Sequence, residues 1–412
     1  MSSKTKTAAT KNEATPALAP KLRFPEFREA EGWKSIPLSR LAIRAKQKNR
    51  DEKIDRVLTN SAEFGVVDQR DFFDKDIATQ GKLEGYFVVE LGSYVYNPRI
   101  SSTAPVGPIS KNKIGTGVMS PLYTVFKFKD DRNDFYEHFF KTTGWHAYMR
   151  QASSTGARHD RMAISSDDFM AMPLPVPSPD EQQKIAECLS SVDELMAAQA
   201  RKVDALKTHK KGLMQQLFPR EGETQPRLRF PEFQNAGGWT DDTLGAVCEL
   251  YQPVTLSSSE LSMTGEHLVY GANGVIGTHN EYNHEDSEIA VTCRGATCGE
   301  VTVTKPKSWI TGNAMVVRPR TKKLRKDFLL QYFKSHGLKR VISGSAQPQI
   351  TRTGLAPLVI FFPEPIEQEL IASCFSSLDA LITASIQKLE AHKTHKKGLM
   401  QQLFPSPEDV DA

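Results

Sequence analysis

The side chains in this sequence that are best suited to chemistry are arginines, lysines and glutamines in two basic stretches. Residues 91–129 include no acidic residue, and residues 318–352 hold ten lysines and arginines against the single acid Asp327. Clustered cations raise the local potential and hold phosphate groups, with an affinity that falls steeply as salt is added. The formal charge of the whole chain is only +4, so it is the clustering that predicts a nucleic-acid ligand.

Polar side chains in and beside these stretches could also contact the edges of bases. Arginine forms two hydrogen bonds with guanine, and glutamine forms two with adenine. For any single residue a solvated surface charge is the alternative, and the two clusters as a whole carry the prediction. The first candidates for base contact are Arg158, Arg161, Gln347, Gln349 and Arg352. The full predicted DNA-binding set is Arg99, Lys111, Lys113, Arg158, His159, Arg161, Arg294, Arg318, Lys322, Lys323, Arg340, Gln347, Gln349 and Arg352.

Motifs of enzymes that act on DNA or nucleotides are missing from the sequence. There is no G-x-x-x-x-G-K-[ST] phosphate loop, and Asn97-Pro98 is followed by Arg99 rather than by the second proline of an amino-methyltransferase. Pro179-Asp180 resembles part of a nuclease motif, yet it opens a helix where a two-metal carboxylate cluster would have no partners. Five cysteines without a matching zinc spacing predict reduced thiols and no metal site. We therefore expect a chain that binds without catalysing a reaction.

An internal duplication organises the chain. The dodecamer THKKGLMQQLFP occupies residues 208–219 and returns 186 residues later at 394–405. The phrase LRFPEF, followed closely by Gly-Trp, begins at Leu22 and returns 206 residues later at Leu228. Each half therefore has a constant opening, a variable middle and a constant close. The opening is predicted either to cover the end of the closing helix or to contact a partner, and a simple strand at the domain edge is the alternative.

The constant close is predicted to be a long helix. From Ile185 and from Ile371, apolar residues recur at steps of four and three for more than four heptads, as in a coiled coil. Proline stands at the expected first helical position in both copies. The alternative is two separate amphipathic helices, each lying on its own domain. Polar residues at the same place in both seams, Gln199 and Ser385, favour mutual pairing.

The variable middles are predicted to be mixed α and β domains. Strands are predicted at 85–96, 122–128, 289–292 and 301–304 from their β-branched and aromatic residues, and helices at 135–149 and 326–342. No apolar run approaches the roughly eighteen residues that a membrane-spanning helix needs, and the N-terminus lacks the apolar core of a secretory signal. A cytoplasmic protein without a membrane partner is the expectation.

These features together resemble the specificity (S) subunit of Type I restriction-modification systems. The likeness spans residues 21–405 and is carried by two LRFPEF…GW openings, two variable basic domains and two EQ-led helices that end in HKKGLMQQLFP. It implies an α+β fold in which two mixed α/β target recognition domains are separated by two long helices. It also implies that these helices pair as an antiparallel coiled coil with pseudo-twofold symmetry.

The resemblance further implies partners and cofactors. The expected partners are double-stranded DNA, two methyltransferase (M) subunits and two restriction (R) subunits. S-adenosylmethionine, ATP and magnesium would belong to the M and R subunits, with no cofactor in this chain. The predicted surface for partner docking consists of Leu213, Leu217, Phe218, Leu399, Leu403 and Phe404. Since the two middles have diverged, the resemblance implies an asymmetric DNA target in two parts, with a gap set by helix length.

The resemblance and the duplication divide the chain into seven segments. They are a disordered tail (1–20), target recognition domain 1 (21–176), spacer helix 1 (177–219), a linker (220–227), target recognition domain 2 (228–362), spacer helix 2 (363–405) and a second tail (406–412). Two other function classes stay open at this point. One is a stand-alone nuclease or methyltransferase, against which the missing motifs count. The other is a structural scaffold with a duplicated coiled coil and no role at DNA.

Overall fold

The chain folds into two compact units. A computed structural model describes residues 18–72, 83–155, 160–262, 264–272, 274–344 and 347–405. Unit 1 contains the residues up to Ala198 together with those from Leu389 onward, and unit 2 contains residues 199–388. Each unit therefore combines one variable middle with a part of each long helix. Arg158 and His159 lie outside the described residues.

Unit 1 is built from short strands and short helices around an aromatic core. Its central sheet is antiparallel, with strand order β2-β9-β6-β7, and β1 pairs with β12, β3 with β4, β5 with β8 and β10 with β11. Tyr94 in the sheet stacks on Phe126 at 5.6 Å between ring centroids. The strands are β1 (Lys34–Pro37), β2 (Ala42–Arg44), β3 (Leu58–Ser61), β4 (Gly65–Asp68), β5 (Phe87–Val89), β6 (Tyr94–Tyr96), β7 (Ile109–Lys111), β8 (Gly117–Met119), β9 (Thr124–Phe128), β10 (Ser154–Thr155), β11 (Met162–Ala163) and β12 (Pro173–Val176). The helices are α1 (Leu38–Leu41), α2 (Gln69–Phe72), α3 (Asp134–Phe139), α4 (His146–Ala152), α5 (Ser166–Met170) and the first part of α6 (Pro179–Leu217).

Unit 2 repeats the same plan with different residues. Its central sheet has strand order β14-β20-β17-β18, a second sheet has the order β16-β15-β19, and β13 pairs with β21. Strand β17 is buried along its whole length between β18 and β20. The strands are β13 (Thr240–Thr243), β14 (Cys248–Tyr251), β15 (His267–Gly271), β16 (Gly274–His279), β17 (Ile289–Thr292), β18 (Val301–Val303), β19 (Trp309–Ile310), β20 (Ala314–Pro319) and β21 (Val359–Phe362). The helices are α7 (Leu244–Val247), α8 (Lys326–His336), α9 (Arg352–Leu355) and α10 (Pro365–Leu403).

The long helices pair as predicted, and within each unit they run in opposite directions. In unit 1, Lys396 Nζ of α10 donates to Asp193 Oδ1 of α6 at 2.5 Å. In unit 2, Lys210 Nζ of α6 donates to Asp379 Oδ1 of α10 at 2.5 Å. The two ion pairs are equivalent in the duplication, because Lys396 lies 186 positions after Lys210 and Asp379 lies 186 positions after Asp193. The alternative of two separate amphipathic helices is therefore excluded.

A polar contact interrupts the apolar seam of unit 2. Gln199 Nε2 donates to the carbonyl oxygen of Ser385 at 2.9 Å, and both side chains are buried. A buried polar pair is satisfied only when its partners face each other, so it penalises a shifted register. The two residues that the sequence marks as polar seam positions thus contact each other.

Three of the predicted elements divide or end early in the structure. The strand predicted over 85–96 divides into β5 and β6 at Gly92, whose φ of +81° belongs to the left-handed region. The helix predicted over 135–149 divides into α3 and α4. The helix predicted over 326–342 ends at His336 because Gly337 has a φ of +63°. Glycine adopts this conformation without a Cβ clash, so it ends regular structure where the apolar pattern continues.

One window of α10 is long, apolar and low enough in charge to cross a membrane by length and composition alone. This differs from the sequence-based expectation that no such segment exists. The buried core helix of a soluble protein passes the same test. In unit 2 part of the apolar face of α10 is covered, because Phe375 is fully buried and stacks on Phe218 at 5.7 Å between ring centroids, whereas Leu381 and Ile386 are exposed.

Candidate nucleic-acid interface

Acidic residues from outside the segment neutralise much of the first basic stretch. Lys111 Nζ lies 2.7 Å from a carboxylate oxygen of Asp134, and Lys113 Nζ lies 2.7 Å from one of Glu137. Lys127 pairs in the same way with Glu90 at 3.0 Å. The stretch without acids in the sequence is therefore not an unpaired cationic surface in the fold. Lys111 and Lys113 would have to break these contacts to bind phosphate.

Arg318 is occupied as well. Its Nη2 donates to Glu288 Oε1 at 2.6 Å, and its guanidinium lies 5.6 Å from the ring centroid of Tyr251. The hydrogen bond that Arg318 donates to Glu288 raises the pKa of Arg318. Because the carboxylate of Glu288 is buried, it needs this counter-charge, as a buried ion without a partner is costly. The arrangement gives Arg318 a structural role in unit 2.

Two other predicted residues of unit 1, Arg99 and Arg161, are brought together by an isolated antiparallel bridge. The amide of Met162 donates to the carbonyl of Pro98 at 2.9 Å, and the amide of Ile100 donates to that of Asp160 at 2.9 Å. We call residues 98–100 and 160–162 the first ladder. Arg99 is exposed and the Arg161 side chain is 36% exposed. Among the described residues, Arg161 forms one long ion pair, to Asp160 at 3.9 Å.

Unit 2 contains the same construction. Arg294 and Gln349 face each other across an isolated antiparallel bridge. The amide of Ile350 donates to the carbonyl of Cys293 at 2.9 Å, and the amide of Gly295 donates to that of Pro348 at 3.2 Å. We call residues 293–295 and 348–350 the second ladder. Arg294 and Gln349 are both exposed.

The two ladders occupy equivalent places in their units. Each follows the third strand of the four-stranded sheet, β6 in unit 1 and β17 in unit 2. Each also precedes a short helix capped by a hydroxyl: Ser165 accepts from the amide of Asp168, and Thr351 accepts from that of Gly354. The hydrogen-bond pattern makes Arg99 the counterpart of Arg294, and Arg161 the counterpart of Gln349.

Polar side-chain contacts hold the first ladder. The side chain of Asn97 donates to the carbonyl of Asn60 at 2.9 Å and accepts from the amide of Arg99 at 3.0 Å. Asn60 is itself buried and donates to the carbonyls of Val95 and Pro108. In unit 2, the hydroxyls of Thr292 and Thr297 both donate to the carbonyl of Ala272. A polar side chain on a backbone held in this way loses little conformational entropy when it binds a ligand.

The remaining predicted DNA-binding residues of unit 2 are exposed. Gln347 lies just before the second ladder, and Arg352 is the first residue of α9, just after it. Lys322 and Lys323 lie in the turn before α8, and Arg340 lies in the short helical turn Lys339–Val341. The sequence identifies Arg99 and Arg161 individually as candidates, but no local sequence pattern shows that they face each other across one bridge.

Most residues predicted to dock partners belong to the cores of the units. Leu217 and Phe218 are buried in unit 2, and Leu403 and Phe404 are buried in unit 1. Leu213 and Leu399 are partly buried against the same cores. Burial corrects the prediction for Leu217, Phe218, Leu403 and Phe404, because side chains inside a core are not available to another chain. For Leu213 and Leu399 docking stays a prediction.

Nothing in the described part of the chain suggests a metal site. Within those residues, no group of three or more histidine, cysteine, aspartate or glutamate side chains could hold a metal ion. All five cysteines are free thiols. Burial raises the pKa of Cys293 to about 11 and that of Cys248 to about 12, so both stay protonated near neutral pH.

The sequence and fold match one group of known proteins. Residues 236–391 match the model of the type I restriction modification DNA specificity domain. The chain is 23% identical over 264 residues to the MjaX type I restriction enzyme specificity subunit of Methanocaldococcus jannaschii, covering 60% of this chain and 61% of that relative. It is also 23% identical over 345 residues to the MjaVIII specificity subunit of the same organism, covering 72% and 74%. The crystal structure of the type I S subunit from M. genitalium superposes with a TM-score of 0.58 at 14% identity, covering 94% of this chain and all of that one.

Proposed function

We propose that this chain, which belongs to the family of type I restriction-modification specificity subunits, reads a two-part DNA target for a methyltransferase and restriction complex. Unit 1 reads one half-site and unit 2 reads the other. The observation that carries the proposal is the repeated ladder, which places exposed Arg99 and Arg294 at equivalent positions of two otherwise diverged units. Exposed arginines on a rigid frame suit both phosphate and base contacts.

The half-sites differ in sequence because the two units present different side chains. Unit 1 presents Arg99 and Arg161, whereas unit 2 presents Arg294, Gln347, Gln349 and Arg352. The target is therefore asymmetric. The gap between the half-sites depends on the two 39-residue helices, α6 and α10, each of which contributes residues to both units. A helix of this length spans about 59 Å at 1.5 Å per residue.

The reactions belong to other subunits. Two M subunits and two R subunits assemble with this chain, and S-adenosylmethionine, ATP and magnesium bind to them. This chain supplies target selection and no catalytic residue. In unit 1 a groove beside the buried Phe404 is lined by Lys397 and Met400, and by Lys141 and Lys393, which also pair with Glu137 and Glu390. An M subunit that presents acidic and apolar side chains fits this groove.

The test is binding and methylation by the chain co-expressed with the methyltransferase subunit from its own genome. We expect methylation of one two-part sequence and a DNA affinity that falls steeply between 50 and 200 mM salt, about 10³-fold or more if six or more phosphates are contacted. Arg99→Ala should weaken binding more than Lys113→Ala, because Lys113 is already paired with Glu137. The absence of any retained complex at low salt would favour a scaffold. Cleavage or methylation by the purified chain alone would favour a stand-alone enzyme.

A further inference from the structure

The first and second ladders share one residue type and differ in the other. Arg99 and Arg294 are identical, whereas their bridge partners are Arg161 in unit 1 and Gln349 in unit 2. Residues that face each other across an antiparallel pair have Cβ atoms about 4.5–5.5 Å apart and point to the same face. Each ladder therefore presents two side chains side by side. The spacing suits two neighbouring positions along a DNA groove.

We infer that the ladder position of Arg161 and Gln349 determines how the two half-sites differ, with guanine read by Arg161 and adenine by Gln349. The inference rests on the proposed function and assigns the specificity to one pair of residues. Arg99 and Arg294 make the same contact in both half-sites. The half-sites therefore share one recognised position and differ at its neighbour.

The donor and acceptor chemistry of the two side chains supports this assignment. Guanine presents two acceptors, O6 and N7, in the major groove, and a guanidinium offers two parallel donors with no acceptor. Adenine presents the acceptor N7 and the donor N6, which the glutamine amide matches with one donor and one acceptor. Arginine cannot accept from adenine N6. Arg161 and Gln349 thus select different purines although they occupy equivalent positions in the two ladders.

The frame itself is alike in both units. In each, two backbone hydrogen bonds flank the bridge, at 2.9 and 2.9 Å in unit 1 and at 2.9 and 3.2 Å in unit 2. The helix that follows begins at Ser166 in unit 1 and at Arg352 in unit 2, each after a capping hydroxyl. In unit 2 the backbone of Gln349 also exchanges two hydrogen bonds of 2.9 Å with Ser343. Because the same two hydrogen bonds flank both bridges, exchanging the two side chains should exchange their preferences. Loss of a matched two-bond contact to a base lowers binding by about 5- to 150-fold.

The experiment uses the complex with the methyltransferase subunit, with methylated sites mapped by sequencing and affinities measured by competition between duplexes. Arg161→Gln should change the preference from guanine to adenine at one position of one half-site. Gln349→Arg should change adenine to guanine at one position of the other half-site. Arg28→Gln is the matched control, because Arg28 is an exposed arginine in the turn after Pro25–Phe27, and it should leave the target unchanged.

A third variant separates base reading from charge. Arg161→Lys keeps the positive charge but loses the planar fork, so discrimination should fall while the salt dependence stays the same. It also replaces the test of Arg161→Gln if that variant fails to fold. The inference is overturned if the exchanges leave both preferences unchanged or alter both half-sites together. A wild-type complex with no sequence-specific target would instead overturn the proposed function.

Discussion

Arg23 holds Glu181 in a two-pronged salt bridge, with Nε 2.8 Å from Oε1 and Nη2 2.6 Å from Oε2. The pair joins the constant opening of the first half to the start of α6. Arg229 and Glu367 repeat it in the second half, at 2.9 and 2.6 Å. Both glutamates are buried. The LRFPEF segment therefore covers the beginning of the closing helix. This confirms one of the two roles predicted for the segment and excludes the alternative of a strand at the domain edge.

Removing this carboxylate should destabilise unit 1. Glu181→Ala leaves the guanidinium of Arg23, whose side chain is 10% exposed, without its counter-charge. Breaking a buried ion pair on one side costs about 3–5 kcal/mol. The free energy of unfolding, measured in urea, should fall accordingly. Glu187→Ala is the control on the same helix, because Glu187 is exposed and its loss should change stability by about 0.5 kcal/mol or less. A double variant, Arg23→Met with Glu181→Leu, should cost less than either single change, and additive losses would contradict this account.

The ion pair between the helices in unit 1 should tolerate exchange of its charges. Asp193→Lys alone places a second cation beside Lys396, whose side chain is 11% exposed. We expect a loss of about 1–2 kcal/mol from like-charge contact in this partly buried site. Adding Lys396→Asp restores an opposite pair and should recover most of the loss in a double-mutant cycle. A coupling energy near zero would show that the pair does not stabilise the seam.

Burial of His138 should make unit 1 less stable in mild acid. The ring is 2% exposed, its Nε2 lies 3.2 Å from Ser190 Oγ, and desolvation lowers its pKa from 6.5 to about 4. The unfolded chain takes up a proton below about pH 6.5, and the folded chain does so only below about pH 4. The free energy of unfolding is therefore highest above pH 6.5 and decreases as the pH falls towards 4. Between pH 7.5 and 5 this one group should cost about 2 kcal/mol.

The second half of the chain supplies the control for His138. Helix α8 carries buried Gln331 four residues after Asp327, just as α3 carries His138 four residues after Asp134. His138→Gln copies that natural choice and removes the titrating ring. Urea unfolding at pH 7.5 and pH 5 should then show a smaller difference than in the wild type. An unchanged difference would mean that the three other histidines with lowered pKa values, His146, His284 and His336, carry the acid sensitivity.

Lengthening both long helices should widen the DNA target. A heptad inserted after Ala198 in α6 and another after Lys388 in α10 keep the apolar period intact. Seven residues add about 10.5 Å of helix, which corresponds to about three base pairs at 3.4 Å each. Mapping of methylated sites should show the same half-sites with a longer gap. An insertion in α6 alone shifts the register of the seam and should abolish folding or assembly, and an unchanged gap in the double insertion would refute the spacing role.

The duplication, the two long helices and their polar seam positions follow from the sequence by itself. These features are local or periodic: an apolar repeat of 3.5 residues needs a partner helix whatever surrounds it, and proline marks the first turn. The same holds for strand β17, which is buried on both faces and reads as a short continuous apolar run. The breaks in regular structure at Gly92 and Gly337 did not follow from the sequence, because the left-handed conformation of these glycines depends on the backbone around them.

Only the tertiary structure decided which of the charges predicted to bind DNA are already paired with acids. Lys111 and Lys113 lie in a stretch without acids, yet Asp134 and Glu137 reach them from the next helix and neutralise them. Arg99 and Arg161 are far apart in sequence and come to face each other because two backbone segments pair. Ion pairing and strand pairing are contacts between distant segments, and they depend on how the whole unit folds. A count of charges along the chain therefore finds the candidates, and the fold selects among them.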